Sequence, residues 1–554
     1  MALLALLFLG ALVLPAPALA EVGAAEAVRS ADRDSKVVEQ RRLNDGLTHS
    51  AAKRDGNWEV AYFAGDEQVA LVVVDPLTGL VRESWTGYQA PWKMARGYSG
   101  AFGHKLNAPY VFLPLCAIFL LGLVDWRRLR RVANLDLLAL LAFGASHFFF
   151  NRAEVGVSVP LQYVPLAYLF ARALWIGLRG RGEGLRPIWP ATWLLIAALF
   201  LLGFRIGLNV ADSGAIDVGY ASVVGADRIG HGEPIYDSFP SDVSQGDTYG
   251  PLNYLAYLPF ELIWPWSGSW DDLPAAHGAA VFFDLATFAL LILLARRIRP
   301  GPAGNRLAAT FAFAWAAYPY TAFALLSNSN DTLVAMLLVA TLLVLARPVA
   351  RGVMAALATL AKFAPAVLVP MLATYRPAGP LVAGDPPPPA VVKASSEVVP
   401  PATPSAGVAF VIAFVLTAVA LLAWPAIDPG MSTLYDRTIA YQAGRNSPFS
   451  IWGQVAALEP IRIAIMAAVA LLALAFAFRP KEKQLFQVAA LGAALLIGVQ
   501  LTMQHWFYLY IVWFYPLLLV AISVSKPEER SGAVSTDPRE AAPQSYSRAP
   551  AGGH

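Results

Sequence analysis

Charge is what this sequence has least of. Only 14% of its 554 residues are Asp, Glu, Lys or Arg, where a soluble globular domain carries about 25%. With 57% hydrophobic residues and a mean hydropathy of +0.53, that shortage excludes a soluble protein and implies an integral membrane protein. The net charge of +3 is too small, and the arginines too scattered between apolar runs, for a nucleic-acid partner. Cysteine is limited to Cys116, inside one of those runs. No disulfide can form within the chain, no thiol metal cluster exists, and the redox compartment cannot be read from cysteine usage. The expected outer face also lacks a His-x-x-x-His or carboxylate-x-carboxylate pair, so no metal and no other cofactor is expected. Asp271-Asp272 is the one acidic pair open to a divalent cation, and ahead of Pro274 it reads first as a helix start. No internal repeat is evident, which argues against an inverted-repeat transporter. What is plentiful is proline, 41 residues, and tryptophan, 15, the composition of broken helices with interfacial anchors.

Residues 1–20 are an apolar run ending in Ala-Leu-Ala before Glu21. They read as a signal peptide or, lacking a basic start, as an uncleaved first anchor; either places the residues after Ala20 outside the cytoplasm. Residues 21–108 are polar and form the only candidate soluble domain, a small α+β unit. A helix-like stretch at 35–47 precedes strand-like runs at 58–63, 69–74 and 80–86. The last two flank Asp75-Pro-Leu-Thr-Gly79, which has the proline and glycine of a type I turn. The stretch VVVDPLTGLVRESWTG within this pattern resembles the strand-turn-strand of a PepSY module. That resemblance implies an accessory domain, since no nucleophile or metal-ligand cluster accompanies it.

Further apolar runs lie near 109–124, 135–150, 160–178, 191–210, 278–295, 307–326, 332–346, 351–373, 407–425, 461–478, 485–503 and 506–524, most of them close to the ~20 residues a spanning helix needs. Arg127, Arg128, Arg130 and Arg131 come after the first run, Arg179, Arg181 and Arg186 after the third, and Arg296, Arg297 and Arg299 after the fifth, which sets these loops on the cytoplasmic side. The apolar segment 251–266 would invert that pattern if it crossed, so it is expected to be interfacial or re-entrant. The 351–373 run would do the same, and a helix pair broken at Lys362-Phe-Ala-Pro365 restores the order, because proline removes a backbone donor. The expectation is an all-α polytopic bundle of about eleven transmembrane helices plus one broken, re-entrant pair, with the amino terminus outside and the carboxyl terminus in the cytoplasm. Residues 109–190 would be accessory helices and 191–525 the core, with outer loops at 211–277 and 426–460. Residues 376–405, with four prolines at 386–389, read as a flexible cytoplasmic linker, and 526–554 as a disordered tail.

The outer loop 209–250 holds Asp212, Asp217, Asp227, Glu233, Asp237, Asp242 and Asp247 against one arginine, Arg228. Asp227, Glu233, Asp237 and Asp242 read equally well as its solvated face. Asp217 differs, lying just past a span's end between Ile216 and Val218, where a carboxylate faces a cavity; ionisable groups at membrane depth are paired or functional. Asp212, at the helix exit, is the alternative. The order of IDVGY, an amphipathic helix, GEPIY and TYGPLNYLAYLPF resembles the first external loop of GT-C membrane glycosyltransferases, nearest to glycosyltransferase family 87. SNSNDTLVAMLL (327–338) is similar to the polar turn opening a later span in that family. GVMAALATLAKFAPAVLVPML is similar to its Gly/Ala-rich helix with a Lys-x-x-Pro break. The resemblance covers roughly 191–524. It departs from the family in the added amino-terminal domain, in three extra spans, and in the turn Ser-Asn-Ser-Asn-Asp331, where a Gly-Gln pair is commoner.

The resemblance implies an inverting transfer of a hexose, mannose in that family, from a polyprenyl-phosphate donor to a lipid or glycan acceptor outside the cytoplasm. Asp217 would be the general base. Lys362, Arg437, Arg445 and His505 would meet the donor phosphate, and Tyr220, Tyr249, Tyr254, Asn328 and Asn330 would contact substrate. Each has a plainer reading: Lys362 as a snorkelling or structurally paired cation, Arg437 and Arg445 as loop charges, His505 as an interfacial belt residue. His231 and His277 read as structural. Two other functions stay open: a transporter of an anionic solute, using Lys362 and the broken helix, and a non-catalytic scaffold or sensor working through the PepSY-like domain.

Overall fold

The polar amino-terminal stretch folds around the strand-like runs of its sequence. The computed structural model describes residues 21–54, 56–97, 103–180, 182–378, 404–445 and 447–524. The expected leader, most of the expected 376–405 linker and the expected tail fall outside the described residues. Four strands, β1 (Thr48–Arg54), β2 (Asn57–Ala64), β3 (Glu67–Val74) and β4 (Val81–Thr86), form an antiparallel sheet in the order β1-β2-β3-β4. Val60, Tyr62, Ala70, Val72 and Val74 point to one face and bury it against Ala27, Ala31 and Val37 of two helices, Ala24–Ala31 and Ser35–Leu43. Period-two alternation on the central strands is what makes one face apolar. Between β3 and β4, the Asp75 carboxylate accepts from the backbone N–H groups of Leu77 and Thr78, and Gly79 takes φ 68°. The sequence reading missed Ala24–Ala31 and β1. Strand β1, THSAAKR, is an edge strand with almost every residue exposed, so no apolar alternation betrays it.

Among the described residues, seven helices are long and apolar enough to cross a membrane: Val132–Asn151, Val155–Arg179, Ala191–Ala211, Pro274–Ile298, Ala406–Gly444, Ala456–Phe478 and Leu485–Thr502. The bent pair Gly301–Ala317 and Pro319–Leu326 makes an eighth if taken as one span. The other three of the expected eleven, at 109–124, 332–346 and 506–524, are the shorter helices Pro109–Leu123, Asp331–Leu343 and Ile511–Ser523. The last two runs extend into residues that are not α-helical, 344–346 and 506–510, and the first is itself short, which is why hydropathy alone counts more. The 251–266 segment holds one helix of 11 residues, Pro251–Glu261, and the 351–373 run ends its helix Pro348–Ala361 at Lys362, which adopts extended backbone before the turn at Ala364–Leu368.

Leu485–Thr502 and Ile511–Ser523 are buried almost all round and form the axis of the bundle; a helix apolar on every side needs neighbours on every side. Outer helices instead leave Val411, Leu416, Leu471 and Leu474 exposed, the surface a bilayer would cover. Several charges buried among helices are paired, Arg172 with Asp136, Arg205 with Asp284 and Lys362 with Asp331. Arg205 donates to the Asp284 carboxylate at 2.8 Å and to Thr321 and the Trp315 carbonyl, tying Ala191–Ala211 to three later helices. The arginine-bearing loops gather at one end, where Arg131 meets Asp125 and Glu183. At the opposite end, residues 87–97, which follow the sheet domain, pack on the bundle, with Gln89 donating to the Ala153 carbonyl.

Candidate functional site

Ala191–Ala211 ends at Asp212, and after a short extended stretch Ile216 donates its N–H to the Ser327 carbonyl. That bond seats the start of the next helix, Asp217–His231, on the polar turn 327–331. Gly219 makes the approach possible: a Cβ there would lie 2.2 Å from the Asn328 carbonyl oxygen. Asp217 is the first residue of the helix, where free N–H groups favour an anion. Its neighbours Ile216, Gly219 and Tyr220 are buried, yet Asp217 itself remains exposed. It stands in a hollow: protein surrounds the carboxylate and water still reaches it. The protein packed around the carboxyl strips part of its hydration and raises it above the ordinary range, while the positive charges of Arg445 and Lys362 and the Val218 N–H work against that rise.

The broken helix delivers Lys362. Its ammonium lies 2.5 Å from Asp331 Oδ1, which also accepts from Trp513 Nε1 at 2.8 Å. The rings of Trp513, Tyr249 and Tyr510 stand 5.1, 5.2 and 5.6 Å from Lys362 Nζ. Asp331 is fully buried and Lys362 is 7% exposed, so the pair is largely self-neutralising. Arg445 is different. Among the described residues it forms no ion pair; its guanidinium lies 5.9 Å from the Trp92 and Tyr441 rings, and its buried Nε has no hydrogen-bond partner. Two residues on, the Ser447 hydroxyl sits 2.9 Å from His505 Nδ1. Burial, and then the Arg445 charge, push the His505 imidazole well below its usual range, so His505 is neutral at physiological pH.

Five of the sequence candidates therefore share one hollow: Asp217, Lys362, Arg445, His505 and Tyr249. The others do different work. Asp212 lies apart, accepting from the Lys105 N–H and facing His104 and Lys105. Arg437 is fully engaged by the buried Asp247 carboxylate, at 2.6 and 2.7 Å, and locks the outer loop to 244–247. Tyr220 donates to Asp242 and stacks on Trp270. Tyr254 donates to the Gly246 carbonyl inside the outer-loop core. Asn330 donates to Asn253, and Asn328 bonds to Asn209, Ser213 and His277, so both are buried braces of the turn. Three residues of the hollow escaped the sequence reading, Tyr510, Trp513 and Trp92, and a fourth, Asp331, was read as part of the polar turn without a role of its own. Asp331 carried a signal, a carboxylate at the mouth of an apolar helix; the three aromatics carried none among 12% of such residues.

Among the described residues, no three His, Cys, Asp or Glu side chains gather as a bound metal requires. A groove of about 830 Å³ opens elsewhere, on the flank between Ala191–Ala211 and Pro274–Ile298, with apolar walls and Asn209, Ser213 and His277 at one side. The hollow thus offers one water-reachable carboxylate facing a guanidinium that forms no ion pair among the described residues, with a neutral imidazole and four aromatic rings around them. Such a set can take a proton from a hydroxyl while holding an anion. No family model matches this sequence, and no curated protein matches it.

Proposed function

We propose that the protein is an inverting GT-C-type hexosyltransferase working at the outer face of the cell membrane, with a polyprenyl-phosphate hexose as donor and a lipid or glycan as acceptor. The observation that carries this reading is Arg445, a guanidinium without a carboxylate of its own among the described residues, acting on the Asp217 carboxylate across the same hollow. The acceptor hydroxyl gives its proton to Asp217 as its oxygen attacks the anomeric carbon from the side opposite the phosphate. The carbon–oxygen bond to the phosphate breaks, and its electron pair leaves with the lipid phosphate, whose charge Arg445 meets. One carboxylate suffices because no covalent intermediate forms. His505 remains a neutral hydrogen-bonding partner, and Lys362, held by Asp331, contributes position more than net charge. In the resembled family the hexose is mannose.

The same reading sets about eleven crossings, with the three short helices spanning where loops dip inward, the sheet domain and the hollow outside, and the arginine-bearing end in the cytoplasm. In support, the sheet domain's connecting stretch and the 426–445 segment meet at the hollow, at the other end of the bundle from Arg131. The test is transfer of radiolabel from a polyprenyl-phosphate hexose in proteoliposomes holding a cell-lipid extract. Wild-type protein should label product and D217N should not, while inserting and folding normally. Full transfer by D217N removes the base; solute counterflow without any transfer replaces the enzyme with a transporter.

A further inference from the structure

The residues that follow the sheet domain, 87–97, reach the hollow. Gln89 donates to the Ala153 carbonyl at 2.9 Å, and Arg96 Nε donates back to the Gln89 carbonyl at 3.0 Å. Gly97, at φ 50°, lies so close to the 150–153 corner that a Cβ would meet the Phe150 oxygen at 2.5 Å and the Ala153 nitrogen at 2.3 Å. These contacts fix residues 87–97 on the bundle and carry Trp92 over the Arg445 loop. The Trp92 ring is half-buried, 5.9 Å from the Arg445 guanidinium, 5.6 Å from the Phe449 ring at 81°, and 6.1 Å from His505.

We propose that Trp92 is a positioning residue for the anion site: its ring holds the Arg445 guanidinium against the hollow, so that the amino-terminal segment completes the phosphate-binding wall. This role rests on the reading of the hollow as a lipid-phosphate site. Arg445 comes directly after the last turn of a helix, Tyr441–Gly444, and extends from it; its Nε has no hydrogen-bond partner, and no carboxylate among the described residues fixes it. An arginine has many rotamers, and binding an anion with a loose one forfeits affinity to ordering. An indole face restrains a guanidinium without neutralising it, which a carboxylate would not do. Phe449 and the Ser447–His505 bond brace the other side of the same loop, leaving the cationic group aimed inward.

The experiment is binding of farnesyl monophosphate, a short polyprenyl phosphate, to the purified full-length chain in detergent by microscale thermophoresis. R445Q should weaken binding at least tenfold. W92A should weaken it about fivefold, W92F should stay within about twofold of wild type because it keeps an aromatic face, and W92A should add nothing in an R445Q background. A purely structural role for Trp92 would leave the two substitutions additive. If R445Q loses binding and W92A or W92L keeps it, the positioning role is wrong and the phosphate site stands. Additive losses also overturn the role. If R445Q binds like wild type, the phosphate reading itself fails.

Discussion

Cutting either half of the Lys362–Asp331 pair should cost more than removing both. Asp331 is fully buried, its Oδ2 has no partner, and its Oδ1 is served by Lys362 and Trp513. K362M leaves that carboxylate with the indole N–H alone, an uncompensated buried charge worth about 4 kcal/mol of destabilisation. D331L leaves the ammonium facing only aromatic rings and orphans the Trp513 N–H, for about 6 kcal/mol in total. K362M/D331L leaves only the orphaned N–H, about 2 kcal/mol. The double variant should therefore be more stable than either single one when unfolded with SDS in dodecylmaltoside micelles. A double variant less stable than both singles would refute the reasoning, because the two groups would then act independently.

The acid limb of the pH–rate profile should lie above the usual carboxylate range, since burial raises Asp217 and the base must be ionised to work. In R445Q that limb should move further up, because an opposing positive charge is gone; a limb that stays or moves down contradicts the assignment. D284A strips Arg205, 2% exposed, of its carboxylate and should cost about 3–5 kcal/mol in the same SDS titration, whereas R205M/D284L should recover much of it. G219A forces a Cβ onto the Asn328 carbonyl; it should cost about 1–3 kcal/mol and cut transfer sharply by shifting Asp217 from Lys362, and unchanged transfer would show that this seating does not matter.

The legible parts of the sequence are the places where polar groups meet apolar runs. Asp217 stood out as a carboxylate at a span's rim, and Lys362 as a cation beside a proline within an apolar run; the structure sets both in one hollow with Arg445, His505 and Tyr249. Arg437 looked equivalent to Arg445, because nothing local tells an arginine with a distant carboxylate from one without. Asp247, which takes Arg437, is 190 residues away. Arg205 and Asp284 were legible as charges inside apolar helices and were passed over. Trp92 was not legible, lying outside the stretch that carries the family resemblance and acting only through the path of the 87–97 segment. In the sheet domain the apolar, β-branched and aromatic runs of β2 and β3 were plain, while β1, polar and at the edge, had only its backbone pairing with β2 to define it.

The most direct test of the central claim is a cryo-EM map of the full-length protein in nanodiscs with a polyprenyl phosphate. The expected density places the phosphate within hydrogen-bonding distance of the Arg445 guanidinium, its free oxygens toward the space beside Asp217. Phosphate density in the flank groove by His277 instead, with the Asp217 hollow empty, would contradict it.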